Sequence, residues 1–113
     1  MMASTDAPDR GDLVRLWFDP QAGCERAGQW SALVVSPKSY NARVGLALYC
    51  PITSQVKDYP FEVILPEGGA VSGVVLADQM KSLDWRARRA ERIGTAPGEV
   101  LREVLAKIRV LVM

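Results

Sequence analysis

The side chains able to do chemistry fall into three short stretches, and none of them holds a histidine, because the 113-residue chain has none. That absence removes Ser-His-Asp triads, Cys-His pairs and acid–base schemes built on two histidines. Catalysis has to run on carboxylates, hydroxyls, Arg, Lys or Cys. The first stretch, Gln21 to Ser31, is a polar loop of eleven residues carrying Glu25, Arg26, Gln29 and an isolated Trp30. A loop that long in so short a chain is more often functional than idle. Glu25 is suited to accept a proton or to latch the loop, or else is solvated decoration. The second stretch is Thr53-Ser54-Gln55, behind an apolar run. A threonine hydroxyl is no base at neutral pH, but it can hydrogen-bond a phosphate oxygen or orient an attacking group; taken alone, Thr53 is most simply a β-former.

The third stretch is basic. Residues 81–113 hold eight Lys/Arg against four Asp/Glu, whereas residues 1–80 hold six against nine, on a chain of net charge +1. Gln79 and Lys81, then Arg86, Arg88, Arg89 and Arg92, fall in or beside this basic part, which could meet phosphates; a solvated face is equally compatible with the charge alone. Asp78 is suited to fixing a turn. The two cysteines, Cys24 and Cys50, lack metal-ligand spacing. Cys50 reads as a small core hydrophobe and Cys24 as an exposed loop thiol, and without histidine a zinc site is not expected.

These side chains have to be positioned by short elements. Val14, Leu16 and Phe18 alternate with Leu13, Arg15 and Trp17, which predicts a half-buried strand ended by Asp19-Pro20. Ala32 to Val35 predicts a buried strand closed by Ser36-Pro37, and Lys38 to Asn41 a 3₁₀ turn or a loop. Val44 to Cys50 predicts a strand ending at Pro51, with a polar strand end over Ile52 to Gln55 and a connection from Gln55 to Pro60. Further strands are expected over Phe61 to Leu65, Gly73 to Ala77, Lys81 to Trp85 and Arg88 to Ile93, the last stopped by Gly94, with a turn at Pro66 to Gly69. Thr95 and Pro97 open a helix in which Val100, Leu101, Val104, Leu105 and Ile108 fall at helical spacing. Glu103 and Lys107 form a favourable i, i+4 pair. Trp17 and Trp85 are expected in the core or at a dimer contact.

One domain suits this length, with 49% hydrophobic and 24% charged residues. No apolar run approaches the roughly 20 residues that cross a bilayer, and the start lacks the pattern of a signal peptide, so a cytoplasmic protein is expected. Residues 1–9 read as a loosely held arm and 10–113 as the domain. Short strands, each close in sequence to the next, with a late helix predict a mainly β fold, a small antiparallel barrel.

The ordered set GDLVRLWFDP, a loop with Gly23, Glu25 and Gly28, SALVVSP, PITSQ, YPFEV, GVVLADQMKSLDWRAR and a terminal helix resembles the MazF/PemK toxin family over about residues 10–112. The resemblance implies an SH3-like barrel, a homodimer and a metal-independent endoribonuclease, without cofactor. Such an enzyme cuts single-stranded mRNA at short motifs, leaving a 2′,3′-cyclic phosphate and a 5′-hydroxyl. It also implies an antitoxin whose extended acidic segment occupies the RNA groove, and contact with operator DNA only through that complex. The family's catalytic threonine matches Thr53 and its loop glutamate Glu25. An RNA groove of this kind would draw on Asp19, Gln29, Trp30, Ser54, Gln55, Gln79, Lys81 and Arg86.

One position departs from the family. Its catalytic arginine falls on Trp30, in Gln29-Trp30-Ser31 where Arg-Pro is expected. Attack by the 2′-hydroxyl builds negative charge on a phosphorane, which a fixed cation stabilises more than the ground state. Tryptophan has one N–H and no charge, although stacking of a base on it is worth about 1–3 kcal/mol. Three accounts are open: a weakened enzyme, a substitute cation (Arg26 or Arg86), or a different loop register. Trp30 reads equally as an RNA contact or as a plug packed on the barrel. Two other functions compete: a non-catalytic toxin fold that binds antitoxin and, with it, operator DNA, and a barrel adaptor for peptides or nucleic acid.

Overall fold

The computed structural model describes residues 6–17 and 29–113. Its elements are β1 (Asp12–Trp17), β2 (Gln29–Val34), α1 (Lys38–Val44), β3 (Leu46–Thr53), β4 (Glu62–Leu65), β5 (Gly73–Leu76), β6 (Lys81–Asp84), β7 (Glu91–Thr95) and α2 (Gly98–Val112). The strands form one antiparallel sheet in the order β4-β5-β3-β2-β1-β7, with β6 also paired to β3. The mainly β barrel with a C-terminal helix is therefore present, as a curved half-barrel.

Alternation along the central strands sorts side chains onto two buried faces. Leu13, Leu33 and Cys50 meet Val63, Leu65 and Val75 on one face, where α2 adds Val100 and Val104. Val14, Leu16, Ala32, Val34, Ala47 and Tyr49 occupy the other face, around Trp85. Burial on both sides explains why Ala32 to Val35 is continuously apolar instead of alternating. Trp85 is a core residue, its indole N–H donating to the Asn41 carbonyl at 2.8 Å.

Several boundaries differ from expectation. Lys38–Val44 is a helix and not a 3₁₀ turn, because a distant carboxylate caps it: Asp9 accepts from the Lys38 N–H at 2.9 Å. Gly45 ends it in the left-handed region, which moves Val44 out of the following strand. That strand does not stop at Pro51 but runs to Thr53. β3 pairs with β6 at residues 46–49 and with β5 at 52–53, so Pro51 falls between those pairings, where no strand asks for its missing N–H. Gly94 does not stop β7; it lies opposite Leu13, beside a register shift that skips Ile93, and a Cβ there would come within 3.0 Å of Ala70. β7 starts only at Glu91 because Asp84 accepts the N–H groups of Arg86 and Ala87, both at 2.9 Å, and winds residues 85–89 into turns.

From residue 6 onward the expected N-terminal arm is described, and there Ala7 is buried and the Pro8 carbonyl accepts from the Asn41 amide at 2.8 Å. Asn41 is fully buried, and its side chain also bonds the Ser36 hydroxyl and carbonyl. Helix α2 has the expected inward face, and Lys107 lies 3.9 Å from Glu103 while donating to the Pro60 carbonyl at 2.7 Å. The expected strand end at Phe18 and the thiol of Cys24 lie outside the described residues.

Gly73 is the tightest approach in the sheet. At φ +117 its absent Cβ would sit 2.2 Å from the Thr53 carbonyl oxygen, whereas Gly68, at φ +89, has nothing within 4 Å. Gly68→Ala is expected to cost about 1–2 kcal/mol of backbone strain, and Gly73→Ala about 3 kcal/mol or more, because the clash is with backbone that cannot swing aside. Urea unfolding of the two variants checks this; equal costs would show that the sheet relaxes around residue 73.

Candidate active site

Thr53 ends β3. It continues the face of Ala47 and Tyr49 by alternation. Its hydroxyl accepts from the Gln55 N–H at 3.1 Å, which orients the oxygen and leaves the hydroxyl proton available to a ligand. Thr53, Gln55, Lys57, Tyr59, Leu76 and Gln79, with Glu62, line one cavity of about 360 Å³. That lies at the small end of the roughly 300–1,000 Å³ usual for ligand sites. Of the residues anticipated from the sequence, the cavity unites Thr53, Gln55 and Gln79.

Trp30 stands close by. β2 and β3 pair Ser31 with Ile52 and Ala32 with Pro51, and continuing that register by one residue brings Trp30 opposite Thr53. Directly opposed residues share a face and hold their Cβ atoms about 4.5–5.5 Å apart. The indole is half-buried and packs on the cluster around Tyr49 and Trp85.

The other anticipated residues are dispersed. Gln29 and Arg86 border a separate open groove of about 820 Å³ with Trp17, Arg89, Glu91 and Arg92. Arg86 sits 4.8 Å above the Trp85 ring, and Arg88 donates to the Trp17 carbonyl at 3.3 Å. Arg92 is 3.3 Å from Asp12. Lys81 is exposed opposite Tyr49 on β6 and lines neither opening, and Ser54 is exposed beside Thr53. Glu25, Arg26 and Asp19 lie outside the described residues.

The structure adds three residues, two of which (Lys57 and Tyr59) the sequence reading treated as mere connection and the third, Glu62, as part of a strand. Lys57 brings a cation to the Thr53 cavity, and Tyr59 brings an aromatic ring. Glu62 fixes both: its carboxylate accepts from the Lys57 N–H at 3.2 and 3.1 Å and from the Tyr59 N–H at 3.4 Å. Asp58 between them takes a positive φ of 56°, a conformation aspartate tolerates better than most residues. A carboxylate shortly after a polar, proline-ended loop was the available signal.

On the opposite face of β3 from Thr53, Cys50 is fully buried. Desolvation, helped by the nearby Asp78 charge, pushes its thiol up from 9.0 to about 12. Burial also raises the Tyr49 phenol, with the Asp84 charge adding to it and Arg88 opposing. Both groups keep their protons in the folded state after the unfolded chain would release them. Their contribution to stability is therefore complete below about pH 8.5 and lost as the pH rises toward 12. Between pH 9 and 10.5 the wild type should lose about 2 kcal/mol more than Cys50→Ala, since one proton is worth about 1.4 kcal/mol per pH unit. Urea unfolding at those two pH values measures it; parallel losses would mean that Cys50 titrates as an ordinary thiol.

Comparison with known proteins places this geometry. Residues 9–112 match the family described as PemK-like, MazF-like toxin of type II toxin–antitoxin system. The chain is 50% identical over 111 residues, 98% of its length and 99% of the relative's, to the endoribonuclease toxin MazF of Escherichia coli K12. It is 56% identical to a crystal structure of MazF from Deinococcus radiodurans, with TM-score 0.83 over 94% of this chain and 96% of that one. A MazE–MazF crystal structure from the same organism matches at 55% identity and TM-score 0.86, again over 94% and 96%.

Proposed function

This chain belongs to the PemK-like, MazF-like family of type II toxins and is an endoribonuclease, and from that premise we propose that it cleaves single-stranded mRNA at short sequence motifs without a metal ion. The observation that carries the proposal is the Thr53 hydroxyl, held by the Gln55 N–H and facing a cavity bordered by Lys57 and two glutamine amides. In the reaction the 2′-hydroxyl of one nucleotide attacks the adjacent phosphorus and the 5′-oxygen leaves, taking a proton from solvent water, so the products are a 2′,3′-cyclic phosphate and a 5′-hydroxyl. Thr53 donates to a non-bridging oxygen, where charge grows in the phosphorane. Glu25 takes the attacking proton.

The position that an arginine holds in the family pattern is Trp30, opposite Thr53 in the extended β2–β3 register. An indole cannot neutralise the phosphorane, and loss of one such donor costs roughly 100- to 1,000-fold in rate. Three cations compete for the role: Arg26 in the loop, Arg86 at the open groove, and Lys57, which lines the Thr53 cavity itself. In the cytoplasm the toxin would act as a homodimer. Relatives crystallised as MazE–MazF support a cognate antitoxin, whose extended acidic segment would occupy the same groove, with operator DNA bound only through that complex. The second reading, a toxin fold that has lost cleavage and keeps antitoxin and operator binding, is favoured by the same observation, Trp30 beside Thr53.

Mapping 5′ ends on a long RNA treated with the purified chain, with and without EDTA, is the test. Cuts at one recurring short motif, unchanged by EDTA and about 100-fold slower in Thr53→Ala, are expected. Trp30→Arg should raise cleavage about tenfold or more, whereas Lys57→Ala should lower it if Lys57 is the working cation. If neither the wild type nor Trp30→Arg cuts RNA, the cleavage mechanism falls and the binding reading stands.

A further inference from the structure

An exposed tyrosine is normally mobile, and Tyr59 is 45% exposed, yet four contacts fix it. Its hydroxyl donates to Asp78 at 2.6 Å. Its N–H reaches the Glu62 carboxylate and its carbonyl accepts from the Glu62 N–H at 2.9 Å. Its ring lies tilted against Phe61, centroid to centroid 6.0 Å. The next residue, Pro60, is held from helix α2 by Lys107. So an aromatic ring on a short loop is locked in one orientation on the wall of the cavity that Thr53 and the amides of Gln55 and Gln79 share.

Asp78 contributes more than a turn. One carboxylate oxygen accepts the hydrogen bond of the Tyr59 hydroxyl, and the other is buried without a hydrogen-bond partner. A hydroxyl that donates to a carboxylate at 2.6 Å makes a charge-assisted bond, roughly twice as strong as a neutral one, so the phenol is strongly held. The same bond raises the Tyr59 phenol above its ordinary value, and the latch stays closed at neutral pH. Locking costs side-chain entropy before any ligand arrives, and that entropy need not be spent again on binding. Every nucleobase has a π-face that can stack on such a ring, while glutamine amides discriminate among base edges.

We propose that Tyr59 is a base-stacking platform that seats one unpaired base beside the phosphate at Thr53, with Asp78 as the positioning residue whose hydrogen bond sets the ring and thereby narrows which base fits. The proposal rests on the nuclease reading above and adds to it the residue that selects the nucleotide. Tyr59 binds the substrate; Asp78 acts through it.

The experiment uses a randomised, unstructured RNA pool. Cleavage sites are mapped for the wild type, Tyr59→Ala, Tyr59→Phe and Asp78→Asn, and anisotropy of the labelled pool is measured on Thr53→Ala with and without Tyr59→Ala. Tyr59→Ala should weaken binding about 5- to 150-fold, the range for one lost stacked base, and raise KM more than it lowers kcat. Tyr59→Phe keeps the ring and loses the latch, so it should bind nearly as well but cut a broader set of sequences. Asp78→Asn, whose amide oxygen can still accept the phenol proton, should retain the narrow set. Unchanged affinity and unchanged motifs in Tyr59→Ala, at a wild-type urea midpoint, would overturn the platform even if the wild type cuts RNA normally. Weaker binding by Tyr59→Ala alongside a wild type that cuts nothing would instead support the platform and reject the cleavage mechanism.

Discussion

Strand β3 changes partner along one edge, and the rest of the structure depends on that change. Up to Tyr49 its neighbour is β6; from Ile52 its neighbour is β5. Pro51 falls at the changeover, the one place in a central strand where a residue without an N–H removes nothing from a ladder. The changeover turns the sheet around the apolar face beneath α2 and leaves Thr53 at a strand end, with one side against β5 and the other opening toward the loop. Gly73 completes the device, since only a residue without Cβ lets β5 come that close to the Thr53 carbonyl. The Thr53 hydroxyl is thus carried on backbone that has no room to move.

The second apolar face is held by polar groups as much as by packing. Asn41 links the segment before β1, the end of β2 and the indole of Trp85, through Pro8, Ser36 and its own carbonyl. The Ser36 hydroxyl in turn accepts from the Leu48 N–H at 2.8 Å. A buried network in which each member has its partners specifies one arrangement, because any shift strands a desolvated group. This explains why α1, only one residue in from Pro37, forms so short a helix with no local cap: Asp9 and Asn41 bind it to chain that is distant in sequence.

That distance also marks what could be read from the residues. Period-two alternation in Leu13 to Trp17 and helical spacing from Val100 to Ile108 are local signals, and both elements formed where expected. The half-barrel followed from the order of such elements. α1 was hidden because its cap lies 29 positions away, and the passage of β3 through Pro51 was hidden because it depends on which strands adjoin it. Of the residues anticipated from the sequence, Thr53, Gln55 and Gln79 line one cavity. Lys57, Tyr59 and Glu62 were not legible, since their loop gets its shape from side-chain bonds to backbone and has no periodicity to announce them.

The loop at residues 55–60 and the substitution at Trp30 bear on one another. Trp30 adjoins Ser31, which pairs with Ile52 next to Thr53, and its packing on the Trp85 cluster resists displacement. Among the described residues that line the Thr53 cavity, the positive charge comes from Lys57. Lysine offers a compact, mobile charge in place of arginine's planar fork, so it can follow a phosphate that has shifted but holds it less rigidly. Rigidity on that side has to come from elsewhere, and the locked loop supplies it: Glu62 fixes the Lys57 and Tyr59 backbone, Asp78 fixes the ring, and Lys107 ties the far end to α2. The cation and the aromatic wall thus sit on one short loop that is tied down along its length, on the cavity that Thr53 lines.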